Sequence, residues 1–192
     1  LSMYRTLKGD CEVIDFTGGY TGPEQLYHWQ ADLVHELFDT EPDDRTIHFI
    51  VNPRGEGGKS KFLDYIRTHH DTEALVYNSY DTRRNWSYKF LHDCKRLQRR
   101  GGKPRAIIFN LTKNSKIGLP YRGFNVIDCN DFYASLEELK DCTVESDKYQ
   151  GGRIRLLPPH VIVLCNNPPH PTNLSEDRYN VQAVSYTHLR AH

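Results

Sequence analysis

Leu26, Trp29, Leu33, Leu37 and Phe38 recur at helical spacing behind Pro23, and the pattern predicts an amphipathic helix there. The polar stretch EPDDR (residues 41–45) then predicts a turn. Four short apolar runs follow: TIHFIV (46–51), EALVYNSY (73–80), RAIIFNL (105–111) and HVIVLCN (160–166). Three segments of helical period separate them: GKSKFLDYIRTHH (58–70), WSYKFLHDCKRLQRR (86–100) and NDFYASLEELKD (130–141). Gly101 and Gly102 stop the second of these segments. Strands that read as unbroken apolar runs are buried on both faces. The expected fold is therefore α/β, with three layers around a mainly parallel central sheet.

Composition narrows this picture in three ways. The 192 residues carry 25 basic and 25 acidic side chains, so no overall field draws in a polyanion, and any nucleic-acid contact must be local. Cys11, Cys94, Cys129, Cys142 and Cys165 are scattered, odd in number and without CxxC spacing, which suggests neither a disulfide framework nor a zinc site and fits a reducing compartment. No apolar run reaches the length of a membrane span, and no signal peptide is evident. Residues 1–22 read as a linker or truncated upstream segment, 23–183 as one domain and 184–192 as a non-native tail.

The stretch NPRGEGGKS (52–60) carries the chemistry. Backbone N–H groups of a glycine-rich turn can converge on one anion, and the helix N-terminus behind it adds partial positive charge. Pro53, Arg54, Gly55, Glu56, Gly57 and Gly58 form the expected cradle, Lys59 reaches the outer phosphates, and Ser60 supplies a hydroxyl to Mg²⁺. The alternative is a glycine-rich strand-to-helix turn with an exposed lysine. Pro53 stands where the full phosphate-loop pattern has glycine, and Gly55 can provide the bend. Asn110 ends the third run where such a site needs a carboxylate to hold Mg²⁺ through water; Asp128, Asp131 and Glu137 are candidate substitutes.

Taken together, these segments resemble the superfamily 3 helicase domain of replication-associated (Rep) proteins from circular single-stranded DNA viruses. The likeness runs from about Leu26 to Val181 and rests on LYHWQ, NPRGEGGKS, IIFNLTKNS, FYASLEELKDCTVESDKYQGG, PPHVIVLCNNPP and LSEDRY in that order. Asn52, Glu56, Asn110 and Lys113 depart from the residues usual in that family. The resemblance implies an AAA+-like P-loop NTPase fold, ATP and Mg²⁺ as cofactors, and a homo-oligomeric ring, a hexamer. It implies that Asn166 orients the attacking water and that Arg178 is an arginine finger acting in trans; the other reading of Arg178 is a surface arginine paired with Asp177 or Glu176. It places Lys140, Lys148 and Tyr149 against single-stranded nucleic acid, DNA ahead of RNA, with Arg153 and Arg155 adding charge nearby. The family's N-terminal nicking motifs are not found in this sequence.

The expected function is an ATP-driven helicase or translocase working in rolling-circle replication, in the host nucleus if the DNA reading holds. Three rivals stay open at this level. They are a viral RNA helicase of the same superfamily, a decayed nucleotide-binding module without turnover, and a P-loop kinase of small metabolites.

Overall fold

A computed structural model describes residues 26–55, 57–111, 115–117, 125–127, 129–171 and 173–184. Along the chain come α1 (His28–Asp39), β1 (Ile47–Val51), α2 (Lys59–His69), β2 (Ala74–Tyr77), α3 (Arg83–Arg99) and β3 (Ala106–Asn110). After them come β4 (Ser115–Ile117), β5 (Asn125–Ile127), α4 (Cys129–Lys140), β6 (Thr143–Ser146), β7 (Gly152–Arg155), β8 (His160–Cys165) and β9 (Tyr179–Ala183). Five strands form a parallel sheet in the order β2-β3-β8-β1-β9. Strands β4 and β5 make a separate parallel pair, and β6 with β7 an antiparallel hairpin.

The unbroken apolar runs are explained by which face each residue takes. Ile47, Phe49 and Val51 of β1, Ile107 and Phe109 of β3, and Val161, Val163 and Cys165 of β8 share one cluster with Trp86, Phe90 and Leu97 of α3 and Phe132, Tyr133, Leu136 and Leu139 of α4. The alternate residues Ile50, Ala106, Ile108, Ile162 and Leu164 face Leu33 and Leu37 of α1 and Phe62, Leu63 and Ile66 of α2. The side-chain period of two sends neighbours to opposite faces, and helices cover both. The fold is a three-layer α/β architecture of the P-loop-like kind, as expected from the sequence.

Helix α3 starts three residues before the predicted segment, because the Thr82 hydroxyl accepts from Asn85 N–H at 3.2 Å and caps it. It ends as expected. Gly101 takes φ of 74°, its N–H donates to Gln98 O, and Gly102 N–H donates to Leu97 O. This paired pattern is the Schellman termination, and a left-handed residue there favours glycine. The EPDDR turn is tied by Asp43, whose Oδ1 accepts from Arg45 N and Thr46 N. Burial opposes ionisation of this carboxyl, but those hydrogen bonds outweigh it and hold its pKa down to about 2.

One strand of the central sheet was not foreseen. β9 pairs with β1 along its whole length, yet YNVQA is exposed at four of its five positions. Tyr179 packs its ring against Phe49, but an edge strand with the rest of its side chains exposed leaves no hydrophobic period to read. The sheet also runs on into the segment expected to be a tail: Val184 is buried and donates its N–H to Val51 O at 2.9 Å. The expectations for residues 1–22, 185–192 and Pro23 lie outside the described residues. Among the described residues, no helix is long and apolar enough to cross a membrane.

Candidate functional site

All five sheet strands point the same way, so the loops after them gather at one end. The loop from Asn52 to Gly58 leaves β1 at that end and delivers the chain to the N-terminus of α2. Asn52 organises it. Its N–H donates to Cys165 O, its carbonyl accepts from Gly55 N–H, and its Oδ1 accepts from the same N–H at 3.1 Å. Asn52 Nδ2 is buried without a hydrogen-bond partner. Gly55 and Gly58 both take φ of 75°, the left-handed region that glycine tolerates. A side chain at Gly57 would put its Cβ 2.0 Å from Asn52 Nδ2, and one at Gly58 would lie 2.6 Å from the Tyr27 ring. Helix α1 clasps the loop from outside, with Gln30 Nε2 donating to Gly58 O at 2.7 Å. Pro53 and Arg54 are exposed on this loop, and Glu56 lies outside the described residues.

Lys59 opens α2 and turns inward. Its Nζ donates to Asn166 Oδ1 at 2.9 Å, while Asn166 Nδ2 donates to Asn52 O at 2.7 Å. The phosphate-loop lysine and the asparagine just after β8 therefore meet across the mouth of the β1–β8 pair, 107 residues apart in sequence. Ser60 is exposed on the first turn of α2. Asn110, half-buried at the end of β3, donates through Nδ2 to Asn78 Oδ1 at 3.0 Å, a bond that does not use its own amide oxygen. Cys165 lies just beneath; burial pushes its thiol up to about 12 despite the nearby Lys59 charge, so it stays a neutral packing group.

The candidate substitute acids differ in position. Asp131 Oδ2 accepts from Arg83 N–H at 3.0 Å, at the N-terminus of α3. Glu137 sits in the last turn of α4, toward the end where the strands begin. Asp128 and Lys113 lie outside the described residues.

The expected nucleic-acid residues divide. Lys148 and Tyr149 sit together at the tip of the β6–β7 hairpin, which packs along α3 and reaches its N-terminal turn. Lys148 Nζ donates to Asn85 Oδ1 and lies 5.5 Å and 5.6 Å from the ring centroids of Tyr88 and Tyr149. Tyr149 is 80% exposed with φ of 56°, a left-handed conformation that a tyrosine rarely adopts. Beside them Ser79, Tyr80, Asp81, Asn85, Trp86 and Lys89 line a cleft of about 390 Å³. Arg153 and Arg155 are exposed on β7, Arg153 paired with Glu145. Lys140 is elsewhere. Its ammonium is buried at the opposite end of the sheet and donates to Asp43 O and Pro159 O, both at 2.9 Å. Burial holds its pKa below the usual lysine range. A side chain that closes two backbone carbonyls inside the fold does not face a polyanion here.

Arg178 also lies at that far end, immediately before β9. It is 8% exposed, pairs with Asp141 at 3.3 Å, and leaves Nη1 buried without a partner. The expected neighbour Asp177 pairs instead with Arg45 at 2.7 Å. Sequence reasoning missed Asn52, Gln30 and Tyr88 as members of these sites. Gln30 and Tyr88 lie on helices remote in sequence from what they touch, and Asn52 was read as a departure from the usual residue.

Strand, glycine turn, inward lysine and a polar residue just past the adjoining strand fit a protein of the P-loop-like three-layer α/β class. No family model matches the chain. It is similar to Para-Rep C9 of Faba bean necrotic yellows C9 alphasatellite, 30% identical over 85% of this chain and 49% of that protein. It is similar also to Para-Rep C1 of Faba bean necrotic yellows C1 alphasatellite, 30% identical over 80% and 46%. A third relative is Para-Rep C7 of Faba bean necrotic yellows C7 alphasatellite, 28% identical over 93% and 56%. The chain is thus a relative of viral replication-associated (Rep) proteins, and it spans about half the length of the curated relatives it matches.

Proposed function

We propose that this chain is the ATP-hydrolysing motor domain of a Rep protein, which moves along single-stranded DNA as a homo-oligomeric ring. The Lys59–Asn166 contact under the glycine turn supports this reading best. It sets a cation and a polar amide side by side where the γ-phosphate of ATP would end, with the loop amides and the α2 N-terminus behind them. Lys59 then binds the outer phosphates, and Asn166, anchored through Nδ2 to Asn52 O, aligns a water with its freed Oδ1.

Ser60 and Asn110 offer neutral oxygen donors of the kind Mg²⁺ accepts directly or through water. Mg²⁺, when bound, would neutralise charge on the phosphate oxygens. The donor set fits the ion weakly, because Asn110 lacks the usual charge. Unit charges about 4 Å apart interact by roughly 4 kcal/mol at an effective dielectric near 20, and half of that exceeds a tenfold rate change. Asn110→Asp is therefore expected to raise Mg²⁺-dependent phosphate release by about tenfold.

The hairpin tip is the proposed DNA contact. Lys148 supplies charge, and Tyr149 with Tyr88 supplies ring faces on which bases stack. Lys148→Ala combined with Tyr149→Ala is expected to weaken single-stranded DNA binding by at least tenfold, at about 1–3 kcal/mol per stacked base. ATP binding should stay unchanged. A trans role for Arg178 requires its pair with Asp141 to open as subunits meet.

The deciding experiment measures phosphate release by wild type and Asn110→Asp, with and without single-stranded DNA. Release that depends on Mg²⁺ and rises with DNA supports the motor. The second reading, a nucleotide-binding module without turnover, is favoured by Asn110 itself; ATP binding with no release from either protein would establish it.

A further inference from the structure

On the face of the sheet away from α3 and α4, three metal-ligating side chains converge that play no part in the proposed motor. His48 is in register with Ile162 of β8 and with Asn180 of β9. His160 lies two residues before Ile162, so both histidines project from the same face, the one α1 and α2 cover. Glu36 comes down from α1, between Leu33 and Leu37, which pack on that face. One ligand atom from each of Glu36, His48 and His160 lies within 4.8 Å of the others. This is the only such group of three found among the described residues.

We infer that Glu36, His48 and His160 form a binding site for a divalent transition ion of the Zn²⁺ class, clamping α1 to β1 and β8. Two imidazoles and one carboxylate are a donor set that Zn²⁺ takes with a water as fourth ligand, whereas Mg²⁺ and Ca²⁺ prefer oxygen.

The surroundings orient His160 as a ligand. His160 Nε2 lies 3.1 Å from the Thr40 carbonyl at the C-terminus of α1. Donation to that carbonyl places the lone pair on Nδ1. His160 is thus tied to the fold by donation from one nitrogen, as metal-bound histidines are. His48 Nδ1 accepts from Asn180 Nδ2 at 3.3 Å, so the lone pair engaged by that amide is the one an ion would take in its place. Burial also depresses both imidazoles below the usual histidine range, which favours the neutral rings that ligate. Thr40 itself is fixed, since its carbonyl also accepts from Arg105 Nη2 and its hydroxyl donates to Glu36 O. Glu36 and His48 are half-buried, which leaves the site open to an ion and a water. Lys140 sits close enough to depress both imidazoles and Arg105 to depress His160, so Glu36 must offset their charge.

The site lies toward the end of the strands opposite the glycine turn. Helix α1 spans the two, because Gln30 near its start holds Gly58 while Glu36 sits near its end. An ion here would therefore fix the helix that clasps the loop.

The test is calorimetric titration of the full chain with Zn²⁺ and, separately, Mg²⁺, with thermal unfolding in parallel. The expected result is a one-to-one Zn²⁺ isotherm, no Mg²⁺ heat at this site, and a Tm raised by about 5–10 °C at a hundredfold excess over Kd. Glu36→Gln and His48→Gln should each abolish the isotherm and the Tm rise. Glu36→Gln keeps the proposal testable should the His48 variant fold poorly. Co²⁺ should give the visible absorption of a four-coordinate site in wild type only. Absence of Zn²⁺ heat in wild type, or a Zn²⁺ isotherm that survives Glu36→Gln, overturns the assignment.

Discussion

Replacing Lys59 with alanine is expected to lower Mg²⁺-dependent phosphate release by about a thousandfold and to weaken ATP binding. The ammonium carries a full positive charge to the mouth of β1, held 2.9 Å from Asn166 Oδ1. A unit charge about 4 Å from a phosphate oxygen contributes roughly 4 kcal/mol at an effective dielectric near 20, which corresponds to about three orders of magnitude in rate. The fold should survive. Lys59 begins α2 and is not part of either apolar cluster, and alanine is a good helix former. Steady-state phosphate release and binding of a fluorescent ATP analogue measure the two effects, with far-UV circular dichroism checking the fold. Release that is unchanged by Lys59→Ala would remove every enzyme reading of this chain, since no other described side chain offers a cation beneath the loop.

Phe109→Ala is expected to destabilise the domain by about 3–5 kcal/mol, the range for deleting a buried aromatic ring. Phe109 is fully buried in β3, and its ring centroid lies 5.7 Å from Tyr77, 6.2 Å from Tyr80, 5.7 Å from Trp86 and 5.4 Å from Phe132. These rings join β2, β3, α3 and α4, so no single element can shift to fill the space. Against a total of about 5–15 kcal/mol for an ordinary domain, the loss brings the chain near its threshold. Urea unfolding followed by tryptophan fluorescence should show a lower midpoint, with Trp86 reporting directly on the cavity. Asn110 follows Phe109, so ATP-dependent activity should also fall, and faster with temperature than in wild type. A shift no larger than the ~0.5 kcal/mol typical of surface substitutions would mean that this aromatic cluster is not packed as described.

The two sites differ in how much of them the sequence disclosed. The glycine turn is local: strand, Gly55, Gly57, Gly58, Lys59, Ser60 and helix follow one another, and each residue type has a conformational or electrostatic reason to be there. The hairpin tip was disclosed in part, since Lys148 and Tyr149 are neighbours, but Tyr88 joins them only because α3 packs along β6. Lys140 shows the opposite case. A lysine at the end of an amphipathic helix reads as solvated, and nothing local announces that it will be enclosed between Asp43 and Pro159. Cysteine spacing suggested no metal site, and the Glu36, His48 and His160 group uses no cysteine at all.

Periodicity alone determined four of the five sheet strands and the four helices, because continuous apolar runs and 3.6-residue repeats are consequences of burial on both faces and on one. Strand order and register decided the rest. They added β9 through backbone pairing, brought Lys59 to Asn166, enclosed Lys140, turned Arg178 to Asp141, and set His48 beside His160 under Glu36. Each of these joins residues far apart along the chain, so none leaves a periodic or short-range trace; only the packing of layers makes them neighbours.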